Sequence, residues 1–290
     1  MRILVHGYLG WYGSMAQWVF DGLESLGHEV YGCDRLQKPN QIDEVDLYIA
    51  VDSSEDFSAN IPQKIKAPGV YWAMDTHMPG GLQRGCNMAR GCDMVFSTNY
   101  EHGVEILRQN GVESTLLPIT FNELYLPEKP IPIEGRKYDV VMIGNPNSNE
   151  RVQLWNILNS SFNAFTGRIE SKEDFISVMS SAKIVVNQPT EPWDIILNNR
   201  FFEAMGFGAV LFQKNLKTSL MSRLGFEAGV HYQAWNDMTT ISDVISFYLN
   251  SPDLLKNMAY KGEVAVQKYK LTNQLNTMLS LITSKFYDRL

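Results

Sequence analysis

Apolar residues in this chain come in short runs, each followed by a glycine-rich turn or an amphipathic stretch. Ile3 to His6 predicts a first strand, and the spacing around Gln17–Leu26 predicts a helix ended by Gly27. Further strands are expected at Glu29–Cys33, Leu47–Val51, Val70–Met74 and Met94–Ser97. A helix through Val104–Gln109 should stop at Gly111, ahead of a strand at Ser114–Pro118. Residues 126–137, dense in proline and charge, read as a linker. The pattern then restarts with a strand at Tyr138–Ile143 and a helix at Val152–Leu158. Phe175–Met179 reads as helix, Lys183–Asn187 as strand, and Ile241–Leu249 and the stretch after Pro252 as helices. A terminal helix is expected over Asn273–Tyr287.

This alternation implies an α/β protein with parallel sheets covered by helices. Two Rossmann-like halves are expected, residues 1–125 and 138–272, with 126–137 between them and 273–290 a helix that crosses back to the first half. Two such halves would face a central cleft at the strand carboxyl ends, where ligands of doubly wound folds bind.

One stretch of the second half is unusual. The segment from Trp193 to Gln213 reads as loop, short helix, glycine-broken turn and buried strand. On the helix, Asn199, Arg200 and Glu203 share one side, while Phe201, Phe202 and Met205 supply an apolar remainder. Buried ionisable groups need partners. A nucleotide is one: the carboxylate suits ribose hydroxyls and the guanidinium suits phosphate. An Arg200–Glu203 ion pair at the rim of a core helix is the other.

At 290 residues the chain is long enough for two domains, and 44% hydrophobic with 20% charged residues describes an ordinary globular protein. No apolar run approaches a membrane span, and the first strand begins at once, with no signal peptide ahead of it. Cys33, Cys86 and Cys92 form no Cys-x-x-Cys pair, which favours reduced thiols in a cytoplasmic protein over a zinc site. A net charge of −7 disfavours broad attraction to nucleic acid, leaving only a local basic groove for it.

Gly7-Tyr8-Leu9-Gly10-Trp11-Tyr12-Gly13 follows the first strand, and the second strand ends in Asp34. Alone, this looks like the start of an NAD-dependent short-chain dehydrogenase or sugar-nucleotide epimerase. Such enzymes need Tyr-x-x-x-Lys on a helix. The match here, Tyr125-Leu126-Pro127-Glu128-Lys129, holds an interior proline.

The second half resembles the carboxyl domain of GT-B glycosyltransferases of group 1, and most closely the bacterial and phage CgeB-like proteins. The resemblance rests on four pieces in family order. They are Tyr138–Gly144 with Arg151, Gly167-Arg168-Ile169, Ser180–Asn187, and Asn199–Ala209, the strongest. It covers residues 138–270 well and the first half in architecture. It implies that Glu203 binds donor ribose hydroxyls, that Arg200 and Arg151 lie by the diphosphate, and that the Gly144 turn, Arg168, Ile169 and Asn199 belong to the nucleotide site. Glycine turns and helix starts supply the N–H donors that a diphosphate needs, and arginines stabilise the leaving group with no metal required. No cofactor is implied beyond the nucleoside-diphosphate sugar. Ile195 stands where many relatives carry a second glutamate, so Asp194 or Glu191 would replace it only by a shift of the loop.

In the first half, Asp75 and His77 lie just past a predicted strand, where an acceptor would sit, and either suits the base that deprotonates a hydroxyl. The alternative is an Asx-type turn closed by Pro79. His6, Tyr8, Gly10, Trp11 and Tyr12 gather at the predicted mouth, where His6 is equally a core histidine and the aromatics equally core or stacking groups. The whole reads as a glycosyltransferase moving a sugar from a nucleoside-diphosphate sugar, UDP being the expected nucleotide. The acceptor would be a glycan, a small molecule or a modified base of phage-type DNA. The alternatives are the dehydrogenase or epimerase, and a non-catalytic nucleotide-sugar binder.

Overall fold

The structure is a computed structural model that describes residues 1–39, 44–52, 55–62, 66–189 and 193–289. The chain divides into two compact units, Met1–Ile119 with Tyr269–Leu290, and Thr120–Lys268.

The first unit opens with β1 (Arg2–Gly7), α1 (Met15–Ser25), β2 (Glu29–Asp34), β3 (Leu47–Val51) and β4 (Gly69–Ala73). It continues through α2 (Gly81–Ala89), β5 (Met94–Ser97), α3 (Ile106–Gln109) and β6 (Thr115–Leu116). The six strands are parallel in the order β2-β1-β3-β4-β5-β6. β3 and β4 are buried on both faces, as strands between two helical layers must be. Their Tyr48, Ile49, Val70, Tyr71 and Trp72 are fully buried.

The sequence pattern located most of these strands and did not reveal α2. Its buried face is Gly81, Arg84, Gly85, Met88 and Ala89, in which small residues and an arginine take the place of large apolar ones. The apolar period that marks a helix is therefore weak there. The helix expected at Val104–Gln109 begins earlier, as a π-helical turn over Tyr100–Glu105 that leads into α3.

The second unit comprises β7 (Tyr138–Ile143), α4 (Asn149–Ser161), β8 (Ala164–Gly167), α5 (Lys172–Ser180) and β9 (Ala182–Asn187). It goes on with α6 (Asn199–Gly206), β10 (Val210–Lys214), α7 (Leu220–Arg223), β11 (Gln233–Trp235), α8 (Ile241–Leu249) and α9 (Pro252–Val266). Its five parallel strands run β11-β10-β9-β7-β8. β8, α7 and β11 went unread because each is a short element of only three or four residues.

Residues 126–137, expected as a linker, pack into the second unit instead. Ile133 joins its core, and the buried Arg136 guanidinium donates to the carbonyls of Ile131, Ala182 and Phe207. Those three hydrogen bonds account for a buried charge in a proline-rich stretch that sequence reading took for a linker. The chain then returns to the first unit as α10 (Leu271–Phe286), whose Leu271 and Leu275 lie against Gly22 of α1. A Cβ at Gly22 would fall 2.6 Å from Leu275 Cδ1, so the two helices meet at a glycine.

In both sheets the first strand of the unit lies beside the third, with the second on its other side. Strand order thus reverses between β1 and β3, and between β7 and β9. The crevice outside such a reversal is where doubly wound folds bind ligands.

Candidate functional site

In the second unit, β7 runs out at Ile143 and the chain turns at Gly144, whose φ of +148° suits glycine. Gly144 N–H donates to the Gly167 carbonyl at 2.9 Å, which ties the ends of β7 and β8 together. Ser148 then caps α4 by accepting from the Arg151 N–H at 3.2 Å. The cap fixes the first turn so that Arg151 folds back over Gly144, where a Cβ would sit 2.7 Å from its Nη2. The Arg151 pKa is lowered, first by burial and then by the charge of Arg200. Its Nε is buried without a partner.

Arg200 comes from α6, whose start is set by a polar network. Asn187 at the end of β9 donates to Asn198 at 2.8 Å and to Gln213 at 2.7 Å, and Asn198 donates back at 3.2 Å. On the core side of α6, Phe201 and Phe202 are fully buried, each worth about 1.5–3 kcal/mol of transfer free energy. That burial holds the helix with its ionisable edge in place. Arg200 lies 5.1 Å from the centre of the Phe175 ring and its Nη1 is 2.7 Å from Glu203 Oε2. The ion pair that sequence chemistry offered as the bland alternative is therefore present.

The pair leaves Glu203 incompletely satisfied. Glu203 is 5% exposed, and burial raises its pKa, with Arg200 pulling the other way. Its Oε2 is close to Arg200 in distance yet receives no aligned hydrogen bond. Arg151 thus feels the charge of Arg200, whose one carboxylate partner keeps unused acceptor capacity.

The other candidates of this unit lie just past β8, ahead of α6 and at its start. Ile169 is buried beyond β8, and Arg168 is an exposed side chain paired with Glu170 at 2.7 Å. Asn199 is the first residue of α6. Of the two substitutes for the family glutamate, Asp194 pairs with Lys217 at 2.8 Å, and Glu191 lies outside the described residues. Sequence reasoning missed Gln188, just past β9, whose side chain is fully buried with both amide atoms unpartnered. Its signal was a polar Asn187-Gln188 step directly after the apolar run Ile184-Val185-Val186.

In the first unit, Asp75 lies two residues past β4. Asp52, one residue past β3, accepts from the backbone N–H groups of Met74 at 3.0 Å and Asp75 at 2.9 Å. Its other oxygen accepts from Arg84 Nε at 3.1 Å, and Arg84 also donates to the Asp75 carbonyl at 3.3 Å. This buried pair fixes the loop on both sides of Asp75. The Asp75 carboxyl is pushed up to about 6, first by burial, then by Asp52, with Arg84 opposing. Asp52 and Arg84 were not anticipated, since nothing in sequence joins residues 32 apart.

His77 sits in the following turn with neither ring nitrogen partnered, and burial lowers it to about 4. His6 is fully buried. Its Nδ1 is 2.7 Å from the Tyr48 hydroxyl and its Nε2 is unpartnered, and burial again brings it to about 4. Tyr8 and Trp11 are exposed and stacked, with ring centres 6.2 Å apart, and Tyr12 meets Trp11 edge-on. Arg35 lies over the Tyr8 ring at 4.3 Å. Gly10 turns the loop at φ +85° and donates to Gln17 at 2.9 Å.

The dinucleotide signal dissolves into local structure. Gly7 is small because a Cβ would fall 2.7 Å from that of Ala16. Asp34 accepts from the Leu36 N–H in a turn. Tyr125 is buried in the second unit beside Phe175, on a single 3-10 turn that ends before Pro127.

The profile of the glycosyl transferase-like family matches residues 132–280, about half of the chain. The chain belongs to this family. It is a glycosyltransferase by that membership, and the matched span contains Gly144, Arg151, Arg200 and Glu203. No curated protein matches the chain. Among solved structures, Anabaena HepE in complex with UDP is similar at TM-score 0.67 and 13% identity, over 98% of this chain and 100% of that one. An alpha-glucosyltransferase in complex with UDP and a 13-mer DNA containing a HMU base is similar at TM-score 0.69 and 12% identity, over 98% and 99%. The DNA-modifying enzyme beta-glucosyltransferase follows at TM-score 0.64 and 15% identity, over 97% and 99%. The fold of this family member is accordingly GT-B, built of two Rossmann-like domains. No helix among the described residues is long and apolar enough to cross a membrane.

Proposed function

We propose that this glycosyltransferase moves a sugar from a UDP-sugar to a hydroxyl acceptor, with the second unit gripping the donor. Arg151, folded over Gly144 at the end of β7 and disfavoured by the charge of Arg200, carries the reading. Burying two guanidiniums together is unfavourable unless an anion completes the set. A diphosphate does so through charge-assisted hydrogen bonds, and the unused acceptor capacity of Glu203 suits a ribose hydroxyl. The UDP and UDP-glucose complexes of structural neighbours support the choice of nucleotide.

As the donor's glycosidic bond breaks, negative charge grows on the diphosphate, and Arg151 and Arg200 stabilise it where it develops. Arg168, Ile169, Asn199 and the Gly144 turn complete the nucleotide side. In the first unit, Asp75 takes the acceptor proton. Its raised pKa makes it a better base than an ordinary carboxylate while leaving it ionised near neutrality. His77 is the second candidate, and Tyr8, Gly10, Trp11 and Tyr12 form the acceptor-side surface, whereas His6 is a core histidine held against Tyr48. The acceptor is a glycan, a small molecule or a modified DNA base, and the net charge of −7 weighs against the last. The three cysteines are free, which supports a cytoplasmic setting, and the CgeB-like subgroup is the finer family placement.

Thermal denaturation in the presence of UDP, GDP, dTDP or NAD tests the donor class, because a ligand that binds only the native state raises its melting temperature. UDP should give the largest rise. A response to NAD alone would overturn the proposal in favour of an oxidoreductase.

A further inference from the structure

Asp75 is held by its backbone and left free at its carboxylate. Its N–H donates to Asp52 Oδ2 at 2.9 Å. Its carbonyl accepts from Arg84 at 3.3 Å and from the Met78 N–H at 3.1 Å. Among the described residues, its side chain accepts no hydrogen bond and joins no ion pair. The two side chains that grip the backbone form one ion pair. Arg84 Nε lies 3.1 Å from Asp52 Oδ1, and the side chains are 8% and 1% exposed.

The fold brings these groups together from three elements. Val51, the last residue of β3, lies opposite Trp72 of β4, so Asp52 reaches the Asp75 turn across one strand spacing. Arg84 comes from α2, one turn after Gly81, where a Cβ would fall 2.1 Å from the Asp75 carbonyl oxygen. The other titratable groups at this corner face the pair rather than Asp75. Tyr71 of β4 feels Asp52 and Arg84, Asp56 feels Arg84 while bonded to Asn87, and His77 feels both members of the pair and His102.

Stability alone does not account for a charged pair here. Apolar groups of the same volume in place of a buried ion pair are often no less stable, and the N–H groups of Met74 and Asp75 need only a neutral acceptor. What the charges add is a field at the Asp75 carboxylate. Asp52 opposes its ionised form and Arg84 favours it, with Asp52 the stronger of the two.

We propose that Asp52 and Arg84 are positioning residues for Asp75: their ion pair grips its peptide groups, which presents the carboxylate to the acceptor, and their charges act on that carboxylate in opposite senses. The inference rests on Asp75 being the base of the UDP-sugar reading. In that step the acceptor oxygen bonds the anomeric carbon and its proton passes to the Asp75 carboxylate. UDP leaves with the electron pair of the broken glycosidic bond.

Carbon-13 NMR titration of the aspartate carboxyls tests the pair without any acceptor, Asp75 being the resonance that Asp75→Asn removes. The Asp75 midpoint should fall by about one pH unit in Asp52→Asn and rise by about one in Arg84→Gln. A merely structural pair would not move it in opposite directions. The double variant Asp52→Asn/Arg84→Gln buries a neutral amide pair and leaves no unpaired charge, which keeps the test open if a single variant does not fold. Its midpoint should fall below that of wild type, because the stronger of the two charges is gone. All folded variants should bind UDP within about twofold of wild type.

The second readout is hydrolysis of UDP-glucose, UDP-galactose or UDP-N-acetylglucosamine, whichever is fastest, with water as the acceptor. The acid limb of kcat should follow the Asp75 midpoint from variant to variant. Midpoints that stay put, or that move the same way in both single variants, would overturn the positioning role and leave Asp75 standing as the base. So would a double-variant midpoint at or above that of wild type. Midpoints that move as expected while the acid limb does not would overturn Asp75 as the base, and this inference with it. No hydrolysis of any of the three by the wild type would overturn the UDP-sugar reading and this one together.

Discussion

Arg151 feels the repelling charge of Arg200 and makes no ion pair of its own among the described residues, while Arg200 pairs with the buried Glu203, and this local imbalance is the residue-level signature of an anion site. Arg151→Met should therefore weaken UDP binding about tenfold or more, the loss of a charge-assisted contact. The melting temperature should stay or rise, because a repelling, desolvated charge is removed. Calorimetry and thermal denaturation of the same preparation would check both. Asp75 makes a second prediction. Its pKa is about 6 in the folded protein against 3.8 ordinarily. The folded state thus binds the proton more tightly than the unfolded state. The resulting stabilisation is full below pH 3.8 and lost as pH rises through 6. Asp75→Asn should gain melting temperature relative to wild type as pH rises from about 4 to about 6, then hold that gain. In the wild type, turnover should climb through an acid limb near pH 6. A limb near 4 would instead assign the base to His77, which burial lowers to about 4.

Among the elements, the short helix α6 was legible in sequence because its apolar remainder and polar edge fall at helical spacing. Its ion pair was legible too, as one of two open alternatives. The anchoring of its first turn was not, because the Asn187–Asn198–Gln213 network joins β9, the pre-helix loop and β10 across gaps of 11 and 26 residues. The helix α2 was missed for a related reason. Glycine and arginine face its neighbours, and Arg84 makes sense only once Asp52 is brought beside it. α2 also tests how the Asp75 loop is held. A Cβ on Gly81 would run into the Asp75 carbonyl oxygen, a backbone atom that cannot swing away. Gly81→Ala should therefore cost about 1–3 kcal/mol of stability. It should also lower turnover more than UDP affinity, as denaturant titration and steady-state kinetics would show.

For the whole molecule, the alternation of strands and helices predicted two doubly wound units, and both are found. What sequence could not supply was the order of strands, which places the reversal points beside His6 and Asp52 in one unit and beside Gly144 and Gln188 in the other. It also gave the proline-rich stretch the wrong role, because the partners of Arg136 are carbonyls at Ala182 and Phe207, 46 and 71 residues away. The return of α10 to the first unit has its own consequence. Leu271, Leu275, Met278 and Ile282 are buried there, so a chain ending at Lys268 should lose the first unit's stability. Thermal unfolding of that truncated chain should show an early transition that UDP does not raise. The central claim is that Glu203 and the two arginines hold the donor nucleotide, and a calorimetric titration of UDP into wild type and Glu203→Ala tests it most directly. Saturable binding by the wild type, weakened about tenfold or more in a folded variant, is the result predicted. Equal affinity in the two proteins would contradict it.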